Sequence, residues 1–171
     1  LYFLGNEGLE NEFVQARSAK DGQRVWSSRL GKGGKPRQEP NYPAARSTPT
    51  VEGKLLYALG SDGDLVCLET ATGKERWRKS LRADFRGQPG EWAYAESPLI
   101  DGDKLICTPG GTNATLVALN KKTGAVIWKC AVPDGDAAAY ASAIIIDAGG
   151  VKQYVQFLAK GLVGVEAKTG K

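Results

Sequence analysis

The chain contains no histidine and no methionine. Without an imidazole it holds no Ser-His-Asp triad, no His-ligated zinc and no His–Met or Cys-x-x-Cys-His haem site. Cysteine is scarce: Cys67, Cys107 and Cys130 lack C-x-x-C spacing, and an odd count allows at most one internal disulfide. Cys67 stands inside Leu65-Val66-Cys67-Leu68, and Cys107 follows Leu105-Ile106, so both read as small buried apolar side chains. No apolar run approaches the ~18 residues of a membrane helix. No segment shows a sustained helical period either. The opening Leu1-Tyr2-Phe3-Leu4-Gly5 carries no signal-like pattern and reads as part of a strand.

What is present describes a globular chain rich in turns. Of 171 residues, 42% are hydrophobic and 25% charged, with 22 Gly and 8 Pro. That length supports one unit with a real core. The net charge of +4 is a mild basic excess. Basic residues cluster at Arg24, Arg29, Lys32, Lys35 and Arg37, and again from Lys74 to Arg86. No nucleic-acid module accompanies them, so they read as solvated faces and no nucleic-acid partner is expected.

An internal repeat organises the rest. Gly22, Gly73 and Gly124 are 51 residues apart, and each is followed four positions later by Trp26, Trp77 or Trp128. Gly170 ends a fourth copy, Gly164-Val165-Glu166-Ala167-Lys168-Thr169-Gly170. Within each period, short apolar segments alternate with turn residues. Strands are expected at 48–51, 55–59, 65–69 and 75–81. The next copy places them at 98–100, 104–108, 115–119 and 126–132, and the last at 143–146, 154–158 and 162–165. Asp62-Gly63 and Asp101-Gly102 supply hairpin turns, and turn chemistry accounts for these Asp-Gly-Asp stretches better than a calcium loop does.

Four antiparallel strands per period is the arithmetic of a β-propeller blade. Runs such as Leu55-Leu56-Tyr57-Ala58-Leu59 fit strands buried on both faces between neighbouring blades. The fold class expected is all-β, a partial propeller in which the 51-residue period fits about 3.4 times. One unit, 1–171, divides into part of a blade (1–30), blades at 45–81 and 96–132, and part of a blade (140–171). It reads as a fragment of a longer chain. Trp26, Trp77 and Trp128, with Gly22, Gly73, Gly124 and Gly170, are assigned a structural role: each indole begins a fourth strand and packs over the turn of a neighbouring blade. Burying an indole removes about 150–250 Å², or about 4–6 kcal/mol as an upper bound.

The pattern Ala-x-Asp-x-x-Thr-Gly-x-x-x-Trp resembles the tryptophan-docking motif of the quinoprotein-type, PQQ-like propellers. It is matched best by Ala118, Thr123, Gly124 and Trp128, then by Thr72, Gly73 and Trp77. The Asp position departs, being Ser18, Glu69, Asn120 and Glu166. Among relatives, the resemblance implies two activities. Some are dehydrogenases of alcohols or sugars that bind pyrroloquinoline quinone with Ca²⁺. Others, such as the propeller lipoprotein of bacterial outer-membrane assembly, bind no cofactor. The cofactor-binding relatives carry adjacent cysteines or other cofactor-facing signatures, and none of Cys67, Cys107 and Cys130 has a cysteine neighbour.

Function in propellers lies on the loops that join one blade to the next. These run 31–46, 82–96 and 133–141, and each carries a tyrosine shortly before a serine: Tyr42, Tyr94 and Tyr140 before Ser47, Ser97 and Ser142. Arg46 and Glu96 directly precede two of these serines, and Trp92 lies outside the 51-residue series. Tyr42, Arg46, Trp92, Tyr94, Glu96 and Tyr140 are therefore the candidates for ligand or partner contact. No catalytic or metal-binding residue is assigned. The leading expectation is a non-catalytic scaffold without a cofactor. Its partner is another protein or further blades of the same propeller, with oligomers possible, and the family resemblance implies a periplasmic or secreted location. The alternatives are part of a quinone-dependent dehydrogenase and a small-ligand site using Trp92, Tyr94 and Glu96.

Overall fold

The computed structural model describes residues 1–34 and 45–171. Four antiparallel meanders follow one another. The first sheet holds β1 (Tyr2–Glu7), β2 (Asn11–Arg17) and β3 (Arg24–Gly31). The second holds β4 (Thr50–Glu52), β5 (Leu55–Leu59), β6 (Asp64–Glu69) and β7 (Glu75–Ser80). The third holds β8 (Leu99–Asp101), β9 (Lys104–Cys107), β10 (Leu116–Asn120) and β11 (Val126–Cys130). The fourth holds β12 (Ile144–Ala148), β13 (Val151–Phe157) and β14 (Leu162–Glu166). The architecture is a partial β-propeller.

Its core is not one mass but three layers, each between neighbouring sheets. Val14 and Leu30 of the first sheet meet Leu56, Ala58, Val66 and Leu68 of the second. Tyr57, Leu65, Cys67 and Trp77 meet Leu105, Val117 and Leu119 of the third. Ile106, Leu116, Ala118 and Trp128 meet Tyr154, Leu158 and Val165 of the fourth. The two middle sheets are thus covered on both faces. This is why β5, β6, β9 and β10 are apolar on consecutive residues and do not alternate. Cys67, Cys107 and Cys130 are buried free thiols, one or more in each middle sheet.

The same joint recurs at each interface. Trp26 Nε1 donates to Thr70 O at 3.0 Å, Trp77 Nε1 to Lys121 O at 2.9 Å and Trp128 Nε1 to Ala167 O at 3.3 Å. Each acceptor lies three residues before a glycine at positive φ: Gly73 (71°), Gly124 (72°) and Gly170 (78°). A Cβ there would stand 2.6–2.9 Å from the indole carbons. Glycine thus serves twice, turning the chain and letting the ring lie flat on the backbone. A β-bulge aims each ring. Ala16, Cys67 and Ala118 face Trp26, Trp77 and Trp128, and the next pairing then skips Val25, Arg76 or Ile127. The extra residue kinks the fourth strand and twists the tryptophan towards the neighbouring sheet.

One element departs from the sequence reading. A short helix, α1 (Leu81–Phe85), takes the end of the expected fourth strand at 75–81 and the start of the expected loop at 82–96. Ser80 Oγ accepts from Ala83 N at 3.1 Å, and Asp84 accepts from Ser80 N at 3.0 Å. These reciprocal bonds satisfy helix-terminal donors in the manner of a capping box. The turn buries Leu81 and Phe85 under the second and third sheets. Five residues are too few to show a helical period in sequence.

Candidate functional site

The loops that enter each first strand are stitched to one another. Thr48 N donates to Ser97 Oγ at 3.0 Å, and Ser97 N donates to Ser142 Oγ at 2.8 Å. Thr50 Oγ1 also donates to Pro98 O. Ser97 and Ser142 thus accept from the preceding blade's backbone, whereas Ser47 donates its hydroxyl to Leu59 O of its own sheet.

Carboxylates tie the same loops down. Glu12, fully buried on β2, accepts from Ser61 N (2.9 Å), Ser61 Oγ (3.1 Å) and Ala45 N (2.6 Å). Glu96 accepts from Thr108 N and from Thr108 Oγ1 at 2.7 Å. Asp136 accepts from Lys160 N at 3.0 Å. Ser61, Thr108 and Lys160 each follow the second strand of their sheet, after β5, β9 and β13. Three acids thus each hold a backbone donor just past the second strand of a sheet. Burial pushes the Glu96 carboxyl up to about 7, against the opposing pull of the Thr108 donors. Burial also raises Glu12, offset by the N–H groups of Ser61 and Ala45. Sequence reading passed over Glu12; its one signal is a charged residue inside the strand pattern Glu12-Phe13-Val14-Gln15-Ala16.

The six candidate contact residues separate. Tyr42 lies outside the described residues. Arg46 is half-buried at the edge of the described segment. Tyr94 and Glu96 are inside the fold, with relative exposures of 1% and 3%. The Tyr94 hydroxyl donates to Pro109 O at 2.8 Å, and the ring packs on Gly63, where a Cβ would stand 2.9 Å away. Ala93, at φ 71°, reverses the chain between Trp92 and Tyr94. Trp92 is half-buried, and its backbone N–H donates to the Tyr140 hydroxyl at 3.2 Å. Tyr140 is 45% exposed and packs on Gly90. Of the six, Trp92 and Tyr140 alone are brought together with accessible aromatic surface among the described residues.

Two clefts open beside these loops. One, of about 420 Å³, lies between the first and second sheets and is lined by Glu10, Lys32, Asp62 and Arg82. Its charges pair internally, Lys32 with Glu10 at 3.2 Å and Arg82 with Asp62 at 2.9 Å. The other, of about 430 Å³, lies between the third and fourth sheets around Asp134, Gly135, Leu158 and Lys160. No group of three Cys, Asp or Glu side chains converges as a metal ligand set among the described residues. Glu96 gives both carboxylate oxygens to Thr108.

A family model described as the outer membrane protein assembly factor BamB matches residues 10–171. The chain belongs to that family. It is 25% identical over 123 residues to outer membrane protein assembly factor BamB of Salmonella typhimurium, covering 71% of this chain and 28% of that protein. It is 34% identical over 83 residues to quinoprotein ethanol dehydrogenase of Pseudomonas aeruginosa, covering 48% of this chain and 13% of that protein. The crystal structure of BamB from Moraxella catarrhalis superposes with a TM-score of 0.59 at 18% identity, covering 98% of this chain and 45% of that one. The chain thus spans less than a third of the curated relatives it matches. The PQQ-like, quinoprotein-like propeller read from the Gly–Trp period is the fold these relatives share.

Proposed function

We propose that this chain is a non-catalytic PQQ-like propeller segment that serves as an assembly or interaction scaffold in a bacterial cell envelope, on the periplasmic side. One observation carries the reading. The buried acids Glu12 of β2 and Glu96 and Asp136 of the blade-entry loops use their oxygens to hold loop backbone. The loops are thereby fixed as a rigid frame, and a rigid frame presents surfaces to other proteins. The match of residues 10–171 to an assembly factor's family model supports the same reading. No cofactor belongs to it.

The rival is part of a quinone-dependent dehydrogenase, favoured by the 34% identity to quinoprotein ethanol dehydrogenase. The test is addition of pyrroloquinoline quinone and Ca²⁺ to the purified protein, followed by dye reduction with alcohols and sugars. The scaffold reading expects no quinone-dependent reduction; turnover that requires the quinone would overturn it. The small-ligand reading at Trp92, Tyr94 and Glu96 loses Tyr94 and Glu96, which are buried, and narrows to Trp92 beside Tyr140. It requires that Trp92→Ala abolish binding of any ligand found.

A further inference from the structure

The loops at 82–96 and 133–141 carry two accessible aromatic rings whose polar hydrogens are unspent. Trp92 N donates to the Tyr140 hydroxyl oxygen at 3.2 Å, so the hydroxyl accepts there and keeps its own proton. Among the described residues, neither the Tyr140 O–H nor the Trp92 Nε1–H meets an acceptor, whereas Trp26, Trp77 and Trp128 all donate. Neither ring stacks on another aromatic ring among those residues. Tyr140 is 45% exposed and Trp92 half-buried.

Both rings stand on backbone that is fixed before any partner arrives. Trp92 sits in a tight turn closed by Ala93 N to Gly90 O at 3.1 Å, and Tyr94 N ties the next step to Ser61 O at 3.0 Å. Tyr140 lies against the same turn: a Cβ on Gly90 would stand 2.8 Å from its hydroxyl oxygen. The backbone around Tyr140 is held by Ala138 N to Gln88 O at 3.0 Å and by Gln156 Nε2 to Ala141 O at 2.8 Å. Ala93 takes φ 71°, a conformation that favours glycine, and the reversal leaves Trp92 accessible while Tyr94 is buried. Strain of this kind is kept where a site requires it. A preformed surface also gives up little side-chain freedom on binding.

We infer that Trp92 and Tyr140 receive a proline-rich segment of a partner protein in the polyproline II conformation, with a basic residue at one flank. Three observations select that occupant. The rings offer flat apolar faces, on which pyrrolidine rings pack. Their free polar groups are both donors, and a polyproline backbone presents carbonyls and has no N–H of its own. A sugar, by contrast, brings a donor with every hydroxyl. Residues 87–96 and 133–141 hold four acids and no Lys or Arg. Glu96 and Asp136 are turned onto Thr108 and Lys160, while Glu91 stays exposed next to Trp92 and complements a basic flank. This inference rests on the scaffold reading and names the chemistry of its partner.

The test is titration of the ¹⁵N-labelled chain with hexaproline carrying a C-terminal arginine, read in the indole and amide signals. Saturable shifts are expected at the Trp92 Nε1–H and at the amides of 90–94 and 138–142, with the indole signals of Trp26, Trp77 and Trp128 unmoved. Trp92→Phe and Tyr140→Phe each keep a ring and remove a donor, and each should weaken binding about fivefold. Trp92→Ala should abolish it, with unchanged amide signals in β5, β6, β9 and β10 showing that the variant is folded. Hexaglycine with the same arginine presents carbonyls without rings and should not bind. No saturable shift at Trp92, equal binding of the hexaglycine peptide, or unchanged affinity in Trp92→Ala would overturn the inference. Saturable shifts of the same signals with cellohexaose and none with hexaproline would assign the rings to a glycan and overturn the occupant named here. Quinone-dependent dye reduction would overturn the scaffold reading and leave this titration unchanged, so the two failures are distinguishable.

Discussion

At the scale of single residues, Glu96 is the most consequential buried group. Its carboxyl has no counter-ion in the bonds that hold it, only the Thr108 N–H and hydroxyl. Desolvation therefore dominates and raises its pKa from 4.5 to about 7. Between these two values the folded chain keeps a proton that the unfolded chain has released. Stability from this group is greatest below about pH 4.5, declines as pH rises, and is lowest above about pH 7, by about 3 kcal/mol. Glu96→Gln keeps an acceptor for Thr108 N without the charge. Urea unfolding at pH 5 and pH 8 should show the parent losing stability at the higher pH and the variant losing much less. Equal pH dependence in the two proteins would show that Glu96 is not buried as described. The sequence alone could not reveal this role. Glu96 follows Trp92-Ala93-Tyr94-Ala95 in what reads as an open loop, and only the reversal at Ala93 turns Tyr94 and Glu96 inward.

At the scale of the element, the repeated unit is the joint: a bulged fourth strand, its tryptophan, and the glycine turn of the next sheet. Much of it was legible, because tryptophan and glycine keep a fixed period and each has a distinct physical job. The strand expected at 55–59 is β5 residue for residue, since its apolar run is bounded by turn residues on both sides. First strands are displaced by one or two residues: 48–51 became β4 at Thr50–Glu52, and 143–146 became β12 at Ile144–Ala148. These strands are short, and loop serines hold their entries from a distance, which no local pattern records. The bulges at Val25, Arg76 and Ile127 were equally hidden, being fixed by pairing across strands. Gly22 and Gly124 separate the two uses of glycine, because both sit at φ 72° and only Gly124 lies under a ring. Gly22→Ala should cost about 1–2 kcal/mol, the price of left-handed backbone alone. Gly124→Ala should cost about 1–3 kcal/mol more, because its Cβ would press on Trp77 from 2.9 Å. Equal losses in denaturant titrations would mean that the ring does not rest there.

At the scale of the whole molecule, stability is a chain of nearest-neighbour terms. Each hydrophobic layer spans two adjacent sheets, and none reaches across three. Such an assembly behaves as a linear array of coupled units. The second and third sheets are held on both faces, the first and fourth on one. The fourth sheet correspondingly leaves Ile144, Phe157 and Leu162 at 57%, 57% and 68% exposure. Amide hydrogen exchange should therefore be slowest in β5, β6, β9 and β10 and faster in β1 and β12. Slowest exchange in the first or fourth sheet would contradict this ordering.

Three indoles join four sheets in series. Indole N–H exchange, followed by NMR on the intact chain, reads this directly. Trp26, Trp77 and Trp128 donate to Thr70, Lys121 and Ala167 and should give three protected Nε1–H signals, each lost on substitution of its own tryptophan by phenylalanine. Trp92, half-buried in its loop, should exchange much faster. Four indole protons exchanging at one rapid rate would contradict the joints, and with them the radial stacking of the sheets.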